Sequence, residues 1–455
     1  MSTLTHLTIF PSRSPFRTMD SYKGKTPTRE SLLKGIEVFL SKIGESTSLP
    51  MDPRTWPRSD PNTIQSSSTM NLAPRMASYV ILISLSVVWF LSNMSFAKAQ
   101  EYFPPAESQG GWRTLADPDE LRKLAGVDPE KLAELKEWLL TSDSRNFAAV
   151  VIRNGYVVLE VERGNSAKTD DRRVASVSKA VCATVLAIAS EQSQQGLTPH
   201  RMKFEDPAFD FLPWAKPLSD PRKADITVKQ LLNHTSGICP EAVGAKNDGS
   251  WEYVLGLSGD PKTSNLAFDP GTACGYSSHA LCHASLVCET VTGKPYDQVA
   301  IESLFKPIGC EHWWFQFYDG GETIGRHPSH GLGMPARGLA RIAYCMLRQG
   351  RWENKQVIPS WFVEQTALAT HEVKGQEMRF KRNAQSFSHG WELPALVNNT
   401  VGEIPNDARY KPGSGGQLIA FVPSLDLVIA RQTGSSGQWE YEEYVRRACA
   451  AVLRR

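Results

Sequence analysis

Apolar residues run almost unbroken from Ala180 to Ala189, directly after the polar stretch Ser176-Val177-Ser178-Lys179. A run of that length with no polar stripe predicts a helix buried on all sides. Elsewhere the pattern is amphipathic. Asp128-Pro129-Glu130 opens a helix with a side-chain cap and an N1 proline, and Leu132, Leu135, Trp138 and Leu139 form its apolar face. Phe147 to Arg153 and Val157 to Val161 flank Asn154-Gly155, a two-residue turn that predicts a β-hairpin. Near the other end, Leu418 to Val422 and Leu427 to Arg431 are separated by Pro423-Ser424-Leu425-Asp426 and predict a second hairpin, entered through glycines. The last helix is expected from Glu440 to Leu453, with Tyr441, Tyr444, Val445, Ala448 and Val452 on one side. Strands at both ends and a mostly helical middle predict an α+β domain. Its antiparallel sheet is built from both ends and flanked by helices, with an inserted, mostly helical lobe at about residues 180–330.

A different pattern precedes that domain. Residues 76–97 carry no charge, follow Arg75, and lead into Ala97-Lys98-Ala99. A basic flank, an apolar core and a small-x-small site read as a secretory signal cut after Ala99, which places residues 100–455 in an exported compartment such as a bacterial periplasm. The second reading is an uncleaved membrane anchor at residues 77–97, because the run is long enough for a hydrocarbon core of roughly 30 Å. Upstream, 29 of the first 69 residues are Ser, Thr or Pro. Residues 1–75 show no steady period and read as a disordered extension or as the product of an upstream start site.

Fifty basic against 48 acidic residues give a net charge of +2. With no long basic run, the electrostatic footprint of nucleic-acid binding is missing and a small-molecule partner is expected. All eight cysteines follow the signal. Export permits disulfides, but spacing alone leaves their pairing open; Cys182, inside the apolar run, reads as a small buried helix residue. His279, Cys282 and His283 have helical metal-ligand spacing, yet no Cys-x-x-Cys or carboxylate accompanies them, so neither metal nor cofactor is expected.

The chemistry begins at Ser176. A hydroxyl at the first turn of a buried helix lies among unpaired N–H groups at the positive end of the dipole, and Lys179 projects from the same face one turn on. Burial disfavours the ammonium, so the amine can take the Ser proton. The same spacing occurs at Ser31/Lys34, Ser95/Lys98 and Ser303/Lys306, but only Ser176 precedes an apolar helix and is followed by two further boxes. One is Gly271-Thr272-Ala273-Cys274-Gly275-Tyr276-Ser277-Ser278, where a phenol can exchange protons as a general acid or base. The other is Lys411-Pro412-Gly413-Ser414-Gly415-Gly416-Gln417, whose glycines let backbone approach a substrate.

In this order, Ser176-x-x-Lys179, Tyr276-x-Ser278 and Lys411-x-Gly413 resemble the serine beta-lactamase and penicillin-binding-protein superfamily, in its class C-like branch of esterases, D-stereospecific peptidases and 6-aminohexanoate-dimer hydrolases. Residues 226–237, Val291-Thr292-Gly293-Lys294-Pro295, and Gly350-Arg351-Trp352 with Val357-Ile358-Pro359 extend the resemblance over about residues 110–453. It implies the beta-lactamase-like transpeptidase fold and an active site between lobe and sheet. Ser176 would be the acylated nucleophile, Lys179 its activator and Tyr276 the proton shuttle. Ser278, Lys411, Gly413 and Ser414 would bind substrate, with the N–H groups of Ser176 and Ser414 as oxyanion hole. Lys411 would begin the edge strand, His234 would cap the end of its helix, and Cys239 and Cys274 would be the first disulfide to test.

Two departures qualify the expected substrate. Family members usually carry Tyr-x-Asn where this chain has Ser278, and beta-lactamases carry Thr or Ser where Pro412 offers neither hydroxyl nor N–H. The resemblance therefore favours a small-amide hydrolase or esterase acting on an amide, ester or peptide. A D,D-carboxypeptidase or class C-like beta-lactamase comes next, and a non-hydrolytic sensor of cell-envelope ligands is the alternative of another class.

Overall fold

The computed structural model describes residues 101–245, 249–394 and 403–453. The expected extension and export signal, at residues 1–99, lie outside the described residues. Among the described residues no helix is long and apolar enough to cross a membrane.

The two ends of the domain meet in one sheet. Strands β1 (Phe147–Arg153) and β2 (Tyr156–Arg163) form the first hairpin, and β9 (Arg409–Gly413), β10 (Gln417–Val422) and β11 (Leu427–Gln432) form a meander. With β7 (Phe387–Ser388) and β8 (Trp391–Glu392), the order is β2-β1-β11-β10-β9-β8-β7, antiparallel throughout. Between the first hairpin and β7 lie the helical part, the ribbon of β3 (Trp314–Gly320) and β4 (Gly325–Gly333), and the short ribbon of β5 (Arg351–Trp352) and β6 (Lys355–Gln356).

Continuous apolar strands arise because the sheet is covered on both faces. Val150, Ile152, Ile419, Phe421, Val428 and Ala430 pack toward the helical part. Their neighbours in sequence, among them Val151, Leu418, Ala420 and Ile429, point the other way, as a period of two requires. That second face is closed by α1 (Pro129–Ser142) and α5 (Tyr441–Ala450). Asp128 caps α1 by accepting from the N–H groups of Glu130 (3.0 Å) and Lys131 (3.3 Å). In the β1–β2 turn, Asn154 and Gly155 have φ of 52° and 76°, the mirror-image geometry that matches strand twist.

On the first face lies α2 (Val177–Gln194), against the sheet and α3 (Ser278–Thr292). Every residue from Val177 to Ser190 is buried, which is why the apolar run has no polar stripe. Full burial of a Val, Leu or Ile side chain stabilises by about 1.5–3 kcal/mol, so α2 is fixed mainly by packing. Helical structure extends past the expected end near residue 330: α4 (Ala336–Leu347) packs across β10 and β11, and a short helix follows at Ser360–Gln365.

Two expectations need correction. Lys411 does not begin the edge strand, because β8 and β7 continue the sheet beyond β9. These strands have two residues each, too few to carry a periodic signal. Nor do Cys239 and Cys274 pair; all eight cysteines are buried free thiols. Cys239 belongs to the main core, whereas Cys274 packs with Tyr276, Val373, Ala384 and Phe387 in a separate cluster. Burial pushes the Cys239 thiol up to about 11, away from reactive thiolate.

Candidate active site

Ser176 stands at the head of α2 with helical angles (φ −68°, ψ −7°), and the Lys179 Nζ lies 3.0 Å from its Oγ. Just before it, Ala175 holds φ +48°, a left-handed conformation that costs a non-glycine residue about 1–3 kcal/mol and turns the chain sharply into the helix. Lys179 is only 2% exposed. Burial lowers its pKa, opposed by nearby Tyr276 and reinforced by the Lys411 charge, so the free amine is more accessible than in an ordinary lysine. Ser178 serves structure instead: its Oγ accepts from the Leu332 N–H at 3.1 Å.

Tyr276 lies between two lysines, with Lys179 Nζ 4.9 Å and Lys411 Nζ 4.6 Å from its ring centroid. Burial alone would raise the phenol; Lys179 and Lys411 outweigh it and hold the pKa below its ordinary value. The His234 ring packs on Tyr276 at 4.3 Å between centroids, and its Nδ1 accepts from the Ser277 N–H at 3.2 Å. His234 therefore supports the tyrosine rather than capping the helix before it. Burial, then the charges of Lys411 and Lys179, keep its imidazole neutral.

Lys411 is held from behind. Its Nζ lies 2.5 Å from Oε1 of Glu392, whose other oxygen is paired with Arg382. Lys411 is 1% exposed and Glu392 fully buried. Burial would raise the Glu392 carboxyl, but Arg382 and Lys411 reverse this and keep it ionised. A buried lysine with such a partner has its hydrogen-bonding need met inside the protein.

These residues line two joined cavities of about 340 and 410 Å³ that share Ser176, Glu241 and Ser414 as a waist. The first is bounded by Lys179, Ser278, Trp314, Gln316 and His330. The second is bounded by Tyr276, Arg379, Arg382, Lys411 and Trp439. Ser278 reaches the waist but points its hydroxyl at Glu241, donating to Oε1 at 2.7 Å, while Arg379 pairs with Oε2. A backbone bond from Glu241 N–H to the Tyr276 carbonyl, 2.7 Å, locks the two loops together.

Strand β9 closes the other wall. Gly413 lies so near the segment before the nucleophile that a Cβ there would stand 2.6 Å from the Val174 carbonyl oxygen, so only glycine permits this approach. Pro412 lies opposite Leu418 in the β9–β10 ladder. Having no N–H, it fits a position where, among the described residues, β8 pairs with β9 only at Tyr410. Ser414 follows at the waist. Thus Ser176, Lys179, Tyr276, Ser278, Lys411, Gly413 and Ser414 converge on one groove. Of the other Ser-x-x-Lys pairs, Ser303 borders a separate depression next to Gln192 and Trp361, and Ser31 and Ser95 lie outside the described residues.

The residues with metal-like spacing turn to separate partners: Cys282 Sγ meets His330 Nδ1 at 3.3 Å, and His283 Nδ1 meets the His279 carbonyl at 2.8 Å. Sequence reasoning missed Glu241, Glu392, Arg379 and Arg382. A Glu inside Trp391-Glu392-Leu393 was the one local sign of a buried acid.

An antiparallel sheet packed by helices, with Ser and Lys one turn apart in the groove between them, defines the class as a beta-lactamase-fold hydrolase. The model of the family described as Beta-lactamase matches residues 135–451, and the chain belongs to that family. A penicillin-binding protein homologue from Caulobacter crescentus superposes with a TM-score of 0.53 at 16% identity, covering 70% of this chain and 95% of the other. A family VIII carboxylesterase gives 0.53 at 17%, covering 71% and 96%. At these identities the likeness is one of fold. Protein flp of Staphylococcus aureus strain MW2 is 29% identical over 173 residues, 37% of this chain and 32% of flp. The chain thus matches about a third of that relative's length.

Proposed function

We propose that this protein is an exported serine hydrolase that cleaves a small amide or ester through an acyl-enzyme on Ser176. The observation that carries the reading is the Lys179 Nζ, stripped of solvent and 3.0 Å from Ser176 Oγ. The neutral amine takes the hydroxyl proton as Oγ attacks the substrate carbonyl. Backbone N–H groups of Ser176 and Ser414 receive the oxyanion, and Tyr276, tuned by two lysines, passes a proton to the leaving nitrogen or oxygen. The C–N or C–O bond then breaks, leaving the acyl group on Ser176. Water attacks this ester in the second half-reaction and gives up a proton to the Lys179–Tyr276 pair; the bond to Ser176 Oγ then breaks, the pair returns a proton to Oγ, and the carboxylic acid leaves. Export through residues 76–99, with cleavage after Ala99, belongs to the same reading.

Small-amide hydrolysis or esterolysis is favoured over D,D-carboxypeptidase and beta-lactamase activity because Pro412 offers no hydroxyl to a substrate carboxylate and Ser278 is committed to Glu241. Turnover of p-nitrophenyl acetate and butyrate is the test. The wild-type chain is expected to release p-nitrophenol catalytically, and Ser176→Ala to lose at least about a thousand-fold, the order expected on losing a nucleophile. Stable penicillin binding without ester turnover would favour the non-hydrolytic sensor.

A further inference from the structure

We propose that Glu241 makes the groove select acyl groups bearing a nitrogen donor, an amine or an amide N–H, near the scissile carbonyl. This deepens the hydrolase reading and rests on it.

The carboxylate stands at the waist with Ser176 and Ser414, bordering both cavities. Ser278 occupies a position from which a side-chain amide could both donate and accept. A hydroxyl has one proton, and an ionised carboxylate accepts only, so the 2.7 Å contact must run from Ser278 Oγ to Glu241 Oε1. The Ser278 proton is thereby spent. What the waist presents to a bound acyl chain is not a donor seeking a carbonyl but an acceptor seeking N–H. Two oxygens offer roughly four acceptor directions, and Ser278 and Arg379 take one each. The Glu241 side chain is 25% exposed and lines both cavities. Arg379 is 47% exposed and reaches Glu241 from the outer loop; it tempers the charge without displacing Ser278. Arg173 at the rim of the first cavity and Arg379 both repel a cation, so selection depends on short-range contact with Glu241 rather than on a wide negative field.

The test uses three p-nitroanilides of nearly equal acyl length in the full chain at neutral pH: β-alanyl (ammonium), butyryl (neutral) and succinyl (carboxylate). The ratio of kcat/KM is expected to favour β-alanyl over butyryl by about ten-fold or more, the scale of a hydrogen bond to a charged group, with succinyl slowest. Glu241→Gln should bring the β-alanyl to butyryl ratio toward one, and Arg379→Gln should raise it above wild type. The second variant carries the test if the first does not fold. A wild-type ratio at or below one, or a ratio that neither variant moves, overturns the assignment while Ser176-dependent turnover persists. No turnover of any anilide or p-nitrophenyl ester by the wild type overturns the hydrolase reading itself, and this assignment with it.

Discussion

Replacing Glu392 by Gln keeps the side-chain volume but removes the charge between Lys411 and Arg382. The carboxylate is fully buried, Lys411 is 1% exposed, and the Arg382 side chain is 16% exposed. Breaking one partner of a buried ionic cluster leaves uncompensated charge and costs about 3–5 kcal/mol. For the unit Phe96–Arg455, an unfolding entropy of roughly 2.1 cal/mol/K per residue converts this into a Tm loss of roughly 4–7 °C. The pH dependence has a definite sign. Against the desolvation of burial, Arg382 and Lys411 hold the folded carboxyl below its ordinary value of 4.5, so its contribution is present above that value and lost as acid takes pH down through the folded pKa. Wild type should therefore lose more stability than the variant on acidification below about pH 4.5, and the gap between their Tm values should narrow. Calorimetry from pH 7 to pH 3 reads both effects. A Tm loss under roughly 1 °C at pH 7, or a gap that does not narrow in acid, would refute the buried ionised triad.

Lys179→Met should remove the proton acceptor while preserving bulk, lowering ester turnover by about a thousand-fold or more with little change in far-UV circular dichroism; retained turnover would transfer the base role to Tyr276. Gly413→Ala should force β9 away from Val174, destabilise by about 1–3 kcal/mol and slow acylation, read by Tm and by the p-nitrophenol burst. Ellman titration of the unreduced protein should find eight thiols in denaturant and almost none reacting rapidly in the native state, since all are buried. Six or fewer in denaturant would show that at least one disulfide forms.

Local signals led to the right elements where a single segment held the whole reason for its shape. Asn154-Gly155 had both positive-φ positions of its turn, and Asp128-Pro129 had both its cap and its N1 proline. The unbroken apolar run of α2 was legible because the helix is covered on every side, and Ser176, Lys179, Tyr276 and Lys411 stood in boxes of recognisable order. What joins those boxes was not legible. Lys411 and Glu392 are 19 residues apart, Ser278 and Glu241 37, and Arg379 and Glu241 138, so no helix or strand period relates them. The expected disulfide failed for the same kind of reason. Convergence of two chain segments does not say which side of each faces the other, and Cys239 and Cys274 turn into different apolar clusters.

In the proposed mechanism Ser176 carries the acyl group. Rapid acid quench of the full chain during p-nitrophenyl acetate turnover, followed by peptide mass spectrometry, tests it most directly, because Ser178, Ser278 and Ser414 border the same groove and could compete. One acetylated site, Ser176, is expected, formed at the rate of the p-nitrophenol burst and missing from Lys179→Met. Acetyl at another serine, or turnover with no acyl-enzyme under any quench, would contradict it.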